Sequence, residues 1–230
     1  MPGLLAAGGA LDVPTLVQAY SHCIFPWFSD DQPILWWSPD PRMVLEVARF
    51  KLHRSLRKTL AHFAATARCE IRIDQNFETV ITACSEAARV GQSGTWIVAE
   101  MVEAYVALHH AGFAHSVETW IDGELAGGLY CVSIGGAVFG ESMFTRQPDA
   151  SKIALSALVC LCRRHDVAMI DCQQNTAHLA SLGAREMPRE RFVAHVESVA
   201  QAGRQNGSPG MPLWNFEPLY WNELLSARHF

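Results

Sequence analysis

HSVETWIDGELAGGLYCVSIGGAVFGESMF, residues 115–144, reads as three consecutive strands. The first runs from His115 to Ile121 and turns at Asp122-Gly123. The second runs from Leu125 to Ile134 and turns at Gly135-Gly136, and the third covers Ala137 to Phe144. Upstream, Val102, Tyr105, Leu108 and His109 recur at helical spacing until Gly112. Before that, Asn76 can cap a helix that carries Phe77, Val80, Ile81, Cys84 and Ala88 and ends at Gly91. Earlier still, Ile71 and Ile73 alternate with Arg72 and Asp74 in a short strand. Downstream, Ile153, Ala157, Leu158 and Leu161 mark a long helix that leads to a buried strand, Val167 to Asp171. The order β, α, α, β, β, β, α, β predicts an α+β fold in which helices pack on a mixed sheet.

Ser38-Pro39-Asp40-Pro41 breaks the chain, because proline disfavours helix at the residue before it. We therefore divide the sequence into a small N-terminal domain, residues 1–40, and a larger one, residues 41–230. The small part holds a helix from Pro14 to Tyr20 and the stretch FPWFSDDQPILWW. Phe25, Trp27, Phe28, Trp36 and Trp37 are too many aromatics for an exposed loop, so they pack on the larger part or line a cleft beside it. Gly127-Gly128 inside a strand suggests a bulge, or a close backbone approach by a substrate.

With 230 residues, 50% of them apolar and 18% charged, the chain can bury a substantial core and is not disordered. Its apolar runs fall short of the roughly 20 residues of a membrane span, and the N-terminus lacks the basic flank of a signal peptide. A cytoplasmic protein is expected. The seven cysteines, without framework spacing, fit reduced thiols. Cys160, Cys162, His165 and Cys172 do not complete a tetrahedral metal set, so no metal is expected. The net charge of −5 conceals an asymmetry. Arg42, Arg49, Lys51, Arg54, Arg57, Lys58, Arg68 and Arg72 face only Glu46 and Glu70 in their segment, which leaves the rest of the chain strongly acidic. Such a patch could hold a polyanion, or could be an ordinary solvated helix face.

The strings LLAAGGAL, IFPWF, PILWWSPDPR, RSLRK, GTWI, AYVALHHAGFAHSVETW, ELAGGLY, GESMF, ASKIAL, IDCQ and HLASLGA occur in this order between Leu4 and Phe192. Together they resemble the leucyl/phenylalanyl-tRNA–protein transferase family. The resemblance implies a small N-terminal domain followed by one like the Gcn5-type acetyltransferases (GNAT-like). It also implies an enzyme that moves Leu or Phe from aminoacyl-tRNA onto proteins with N-terminal Arg or Lys, marking them for degradation under the N-end rule. A cytoplasmic monomer without cofactor is expected.

Residue by residue, the resemblance gives Asp171 and Gln173 the catalytic role. It sets Trp27, Trp96 and Glu141 near the aminoacyl end of the tRNA, and Arg54 and Lys58 at the acceptor stem. An apolar pocket of Leu129, Met143, Leu155 and Leu158 would receive the aminoacyl side chain, although core packing would also account for these four. Without a polar partner, such a pocket accepts Leu, Phe and, by size, Met, because one methylene discriminates by only about 1–3 kcal/mol. Strand parity puts Asp171 and Gln173 on one polar face with Ile170 and Cys172 in the core, and pairs Glu141 with Met143. An aminoacyl ester is already activated, and freeing an α-amine of pKa 7.7–8.0 at pH 7 costs roughly 1–1.4 kcal/mol. The expected division of labour is therefore that Gln173 accepts a hydrogen bond from the amine while Asp171 fixes the glutamine's amide, with the ribose hydroxyl as a route for the proton.

Two other readings stand beside this one: an acyl-CoA-dependent acetyltransferase and a non-catalytic tRNA-binding adaptor. The first lacks the glycine-rich pyrophosphate turn expected of it. Cys131 stands where the family usually has glycine, so the sheet is expected to pack differently near the pocket. Trp214, Phe216, Tyr220 and Trp221 are expected to pack back as a tail.

Overall fold

A computed structural model of the chain describes residues 3–87, 97–205 and 214–226. The N-terminal part consists of β1 (Leu4–Ala7), α1 (Val13–Ser21), β2 (Phe25–Pro26) and β3 (Leu35–Trp37), with the strands in an antiparallel sheet of order β1-β3-β2. Asp12 caps α1 by accepting from the Thr15 backbone N–H at 2.9 Å. The aromatic stretch is tied down from several sides. Phe25, Phe28 and Trp36 are buried, and the Trp36 and Trp37 indoles donate to the carbonyls of Gly8 and Trp27 at 2.8 and 2.7 Å.

The chain continues through β4 (Arg42–Glu46), α2 (Arg54–Ala65), β5 (Cys69–Ile73), α3 (Phe77–Glu86), α4 (Ala99–His110), β6 (Ala114–Ile121), β7 (Glu124–Ile134) and β8 (Ala137–Thr145). It then forms α5 (Ala150–Arg164), β9 (Met169–Gln173), α6 (Ala177–Ser181), β10 (Arg185–Met187), α7 (Arg189–Gln205) and α8 (Asn222–Leu225). Seven strands make one sheet of order β10-β4-β9-β8-β7-β6-β5, mixed because β8 and β9 run parallel while the other neighbours are antiparallel. Every strand and helix read from the sequence is present. The sequence reading does not predict β1, β2, β3, β4, α2, α6, β10, α7 and α8, and α3 ends at Glu86, with Ala87 extended, short of the predicted end at Gly91; residues 88–91 lie outside the described ones.

Both faces of the large sheet are covered. One carries Tyr20, Phe77, Tyr105, Tyr130 and Phe139, in a cluster continuous with Leu16, Phe25 and Trp36 of the N-terminal part. The other carries Leu60, Leu129, Val138, Leu158 and Trp221. Because Leu125 through Ile134 are all buried, the alternation of a half-exposed sheet is missing from β7. The tail packs back on the second face. Trp221 is buried, Trp214 stacks on His115 with ring centroids 4.0 Å apart, and Arg57 donates to the Leu224 and Leu225 carbonyls.

Two irregularities position the site. In the β7–β8 ladder Tyr130 pairs with Ser142 but Cys131 pairs with Gly140, so Glu141 is an extra, unpaired residue. Such a bulge re-aims a side chain. Expected to share a face with Met143, Glu141 instead interacts with Tyr20 and Tyr105 of the first cluster, whereas Met143 packs on the second. Furthermore, β8 and β9 are paired only at Val138↔Ile170 and Phe139↔Asp171, and beyond these residues the two strands part from the ladder. The close approach at Gly127 comes from the protein itself: a Cβ there would stand 2.6 Å from the Ala150 Cβ at the start of α5. The bulge foreseen at this glycine pair lies one residue earlier, at Ala126, where the β6–β7 register shifts.

Candidate active site

Arg42, the first residue of β4, is wholly buried, as is Asp171 of β9. The guanidinium donates Nε to Oδ1 at 2.9 Å and Nη2 to Oδ2 at 2.6 Å, and gives Nη1 to the Cys23 carbonyl at 3.1 Å. Its remaining faces meet the rings of Phe25 and Phe192 at 5.0 and 5.3 Å. A bidentate pair with further partners repays the desolvation of both charges, and removing one member leaves the other stranded. Arg42 is therefore not part of an exposed basic patch, as its place in the sequence suggested. It is the partner that fixes Asp171.

Asp171 Oδ1 also accepts from the backbone N–H of Gln173 at 2.9 Å. Gln173 has φ +59°, a left-handed conformation uncommon for a residue other than Gly, Asn or Asp. Asp171 thus pins a turn in the main chain, and the glutamine's side-chain amide donates to Glu141 instead of to Asp171, contrary to the expected arrangement. The positive φ also ends the strand alternation, so Asp171 and Gln173 do not share an open polar face. Asp171 is fully buried, and Cys172, expected in the core, is half-buried beside the pocket described below.

The amide of Gln173 reaches across the gap between β9 and β8 and donates Nε2 to Glu141 Oε1 at 3.0 Å. Glu141 Oε2 is buried and makes no hydrogen bond within ordinary distance among the described residues. Burial pushes the carboxyl up to about 8, with Tyr20 and Gln173 opposing the shift, Asp171 adding to it and Arg42 opposing it. The hydroxyls of Tyr20 and Tyr105, hydrogen-bonded to each other, stand behind it. Burial first, and then the charge of Glu141, holds both phenols well above their usual range.

Where β8 and β9 part, a pocket of about 80 Å³ opens. Leu129 of β7, Met143 of β8 and Leu155 and Leu158 of α5 form its apolar walls, Leu179 of α6 adds to them, and Glu141, Asp171 and Cys172 lie along its polar side. Met143 also borders a broader groove with Asp149, Lys152 and His178. The four apolar residues singled out in the sequence thus come together beside the two acids. Trp27 is not among the pocket's lining residues; it is half-buried in the N-terminal part, edge to face with Trp37 at 5.7 Å. Trp96 lies outside the described residues.

The basic segment divides. Arg49 pairs with Glu46, Arg68 with Asp122 and Arg72 with Glu70, while Arg57 is tied to the tail. Arg54 and Lys58, one turn apart on α2, are exposed and make no ion pair among the described residues; Lys51 is like them. Sequence reasoning missed Arg42 as a site residue and missed Tyr20 and Tyr105 altogether. The signal for Arg42 is a cation opening the apolar run Met43-Val44-Leu45, directly after Pro41.

A sequence model described as Leucyl/phenylalanyl-tRNA protein transferase matches residues 44–197, and one for the N-terminal domain of the same family matches residues 9–40. Among curated proteins, the chain is 64% identical over 226 residues to a leucyl/phenylalanyl-tRNA–protein transferase of a Polaromonas species, covering 98% of this chain and 86% of the relative. Proteins of the same name from Albidiferax ferrireducens and Leptothrix cholodnii are 60% and 57% identical, over 98% and 97% of this chain and 86% and 85% of theirs.

Proposed function

The chain belongs to the leucyl/phenylalanyl-tRNA–protein transferase family of aminoacyltransferases, and we propose that it moves Leu or Phe from tRNA to the α-amino group of proteins beginning with Arg or Lys. The observation that carries this reading is the pocket where β8 and β9 part, whose apolar wall meets an acidic side within one cavity. An aminoacyl side chain needs the first surface, and the incoming amine needs the second. The apolar walls offer no hydrogen bond, so Leu, Phe and Met should be distinguished by size alone.

On this reading the parting of the parallel pair is the acyl-binding opening of a GNAT-like sheet. Trp27 and Trp96 flank the aminoacyl end, and Arg54 and Lys58 hold acceptor-stem phosphates without reading sequence. Gln173 is aimed by the pinned turn, and its amide carbonyl accepts a hydrogen bond from the attacking amine. Asp171 positions that turn. The acidic body of the protein favours cationic N-termini and repels acidic ones. Marking for N-end-rule degradation, a cytoplasmic address and a monomeric state belong to the same proposal. Among the described residues no helix is long and apolar enough to cross a membrane.

The test is incubation with radiolabelled Phe-tRNA and peptides that differ only in their first residue. Label should enter peptides beginning with Arg or Lys and not those beginning with Asp. Comparable labelling of both would overturn the acceptor assignment, and absence of label from all of them would favour the adaptor reading.

A further inference from the structure

If the protein joins an aminoacyl ester to an amine at this pocket, some group must receive a proton, because a neutral amine that attacks the ester has to lose one to become an amide. Gln173 is excluded by its chemistry, since an amide is not a base at neutral pH. Asp171 has one oxygen on Arg42 Nη2 and the other shared between Arg42 Nε and the Gln173 backbone. Cys172 lines the pocket, but burial pushes its thiol up to about 12. Tyr20 and Tyr105 are bonded to one another and do not line the pocket. Glu141 lines it, is the extra residue of a bulge, accepts from Gln173 through Oε1, and makes no hydrogen bond within ordinary distance through Oε2 among the described residues, with the Tyr20 hydroxyl acting on it from behind.

We propose that Glu141 is the proton acceptor of the transfer reaction, with Gln173 as the group that orients it and the amine together. This rests on the transferase reading above. The α-amine attacks the ester carbonyl carbon in its neutral form, its first proton having gone to solvent. As the new N–C bond forms, the Glu141 carboxylate takes a proton from the amine, and as the C–O bond to the ribose breaks, that proton passes to the departing ribose oxygen, directly or through the neighbouring hydroxyl. Glu141 is thereby returned to its ionised form. No electrons change hands and no co-reactant is needed.

The electrostatics support the assignment. A carboxyl near 8 is a stronger base than an ordinary carboxylate and lies close to the pH at which the amine becomes neutral, the condition under which general base catalysis is efficient. The groups that face Glu141 are Tyr20 from α1, Arg42 from β4, Tyr105 from α4, Cys131 from β7, and Asp171 and Gln173 from β9.

The experiment follows transfer of label from Phe-tRNA to an Arg-initiated peptide at subsaturating peptide from pH 6 to pH 10, corrected for ester hydrolysis without peptide. The reactive form pairs an ionised Glu141 with a neutral amine, so the parent rate should rise steeply through both titrations and level off above about pH 9. Glu141→Gln should be slower by about 100-fold on that plateau and should rise less steeply, through the amine's titration alone. Glu141→Ala should regain about tenfold in added formate. A merely structural role predicts one shape for both profiles and no effect of formate, and either of those results overturns the assignment. Should Glu141→Gln fail to bind tRNA, the parent profile alone decides: a slope of log rate against pH that exceeds one on the rising limb supports the role, and a slope of one overturns it. Parallel profiles with label moving would sink only this role, whereas no label from the parent at any pH would sink the transferase reading as well.

Discussion

The two sides of the pocket are built in opposite ways. On the polar side the groups are bonded to one another: Arg42 to Asp171, to the Cys23 carbonyl and against two rings, Asp171 to Arg42 and the Gln173 backbone, and the Gln173 amide to Glu141. On the apolar side Leu129, Met143, Leu155 and Leu158 are held only by packing, and Met143 remains half-exposed. Damage to one member of a buried ionic network strands the rest, whereas a lost methyl group is felt in proportion to its volume. The polar side should therefore fail all at once and the apolar side by degrees.

The largest effect is expected at the ion pair. Asp171→Asn should lower transfer by roughly 100-fold or more, with tRNA affinity near the parent's, because the turn that aims Gln173 loses its anchor. Arg42→Met should destabilise the fold by about 3–5 kcal/mol through an uncompensated buried carboxylate. The double variant Arg42→Met/Asp171→Leu should recover most of that stability in urea unfolding and none of the transfer. Recovery of transfer in the double variant would show that the pair serves only the fold.

A smaller effect concerns Glu141 and pH. Its ordinary value of 4.5 applies to the unfolded chain, and the folded value is about 8. Between these limits the folded protein holds a proton that the unfolded chain has released, so stability falls as pH rises from about 5 to 8 and levels off above. Urea midpoints at pH 5.5 and pH 8.5 should differ more for the parent than for Glu141→Gln. Equal differences would remove Glu141 from the polar network.

Leu158→Ala should reduce kcat/KM for Leu and Phe transfer by about tenfold, each according to how closely it touches the missing wall, and should leave the shape of the pH profile unchanged. A collapse of activity as deep as that of Asp171→Asn would erase the contrast between the two sides. The smallest effect belongs to the periphery. Replacing Arg54 and Lys58 by Ala should flatten the slope of log tRNA affinity against log salt by about 0.7–0.9 for each phosphate that is no longer neutralised, equally for Leu-tRNA and Phe-tRNA. An unchanged slope would make this an ordinary solvated helix face.

The same contrast explains what is legible in the sequence. Apolar residues declare their place by periodicity, which is why α3, α4, α5 and the run from β6 to β9 can be read directly, whereas the four pocket residues are nominated together only by the family resemblance. Met43-Val44-Leu45 in β4 is a short apolar run covered on both faces, and periodicity cannot distinguish such a run from a helix segment. Arg42 reads as one more surface cation because its burial depends on a carboxylate 129 residues away. The bulge is invisible for a related reason. Strand parity taken alone puts Glu141 and Met143 of GESMF on one face, and only the register against Tyr130 and Cys131 reveals that Glu141 is the extra residue. Likewise, nothing in IDCQ announces the left-handed turn at Gln173, which Asp171 holds through the main chain.

Gly127 acts as a missing shim. With no side chain there, the first turn of α5 can lie so close to β7 that a single methyl group would stand 2.6 Å from Ala150 Cβ and 3.0 Å from the Phe144 carbonyl. The same helix carries Leu155 and Leu158, so its seating on the sheet sets how far the jaw of the pocket stands open. Gly127→Ala touches no substrate in this arrangement, yet it should lift the jaw and move the Leu-to-Phe transfer ratio toward Phe, and an unaltered ratio in a folded variant would mean that the helix yields elsewhere. The gauge of the pocket is thus cut at the first turn of the helix, ahead of the residues that line it.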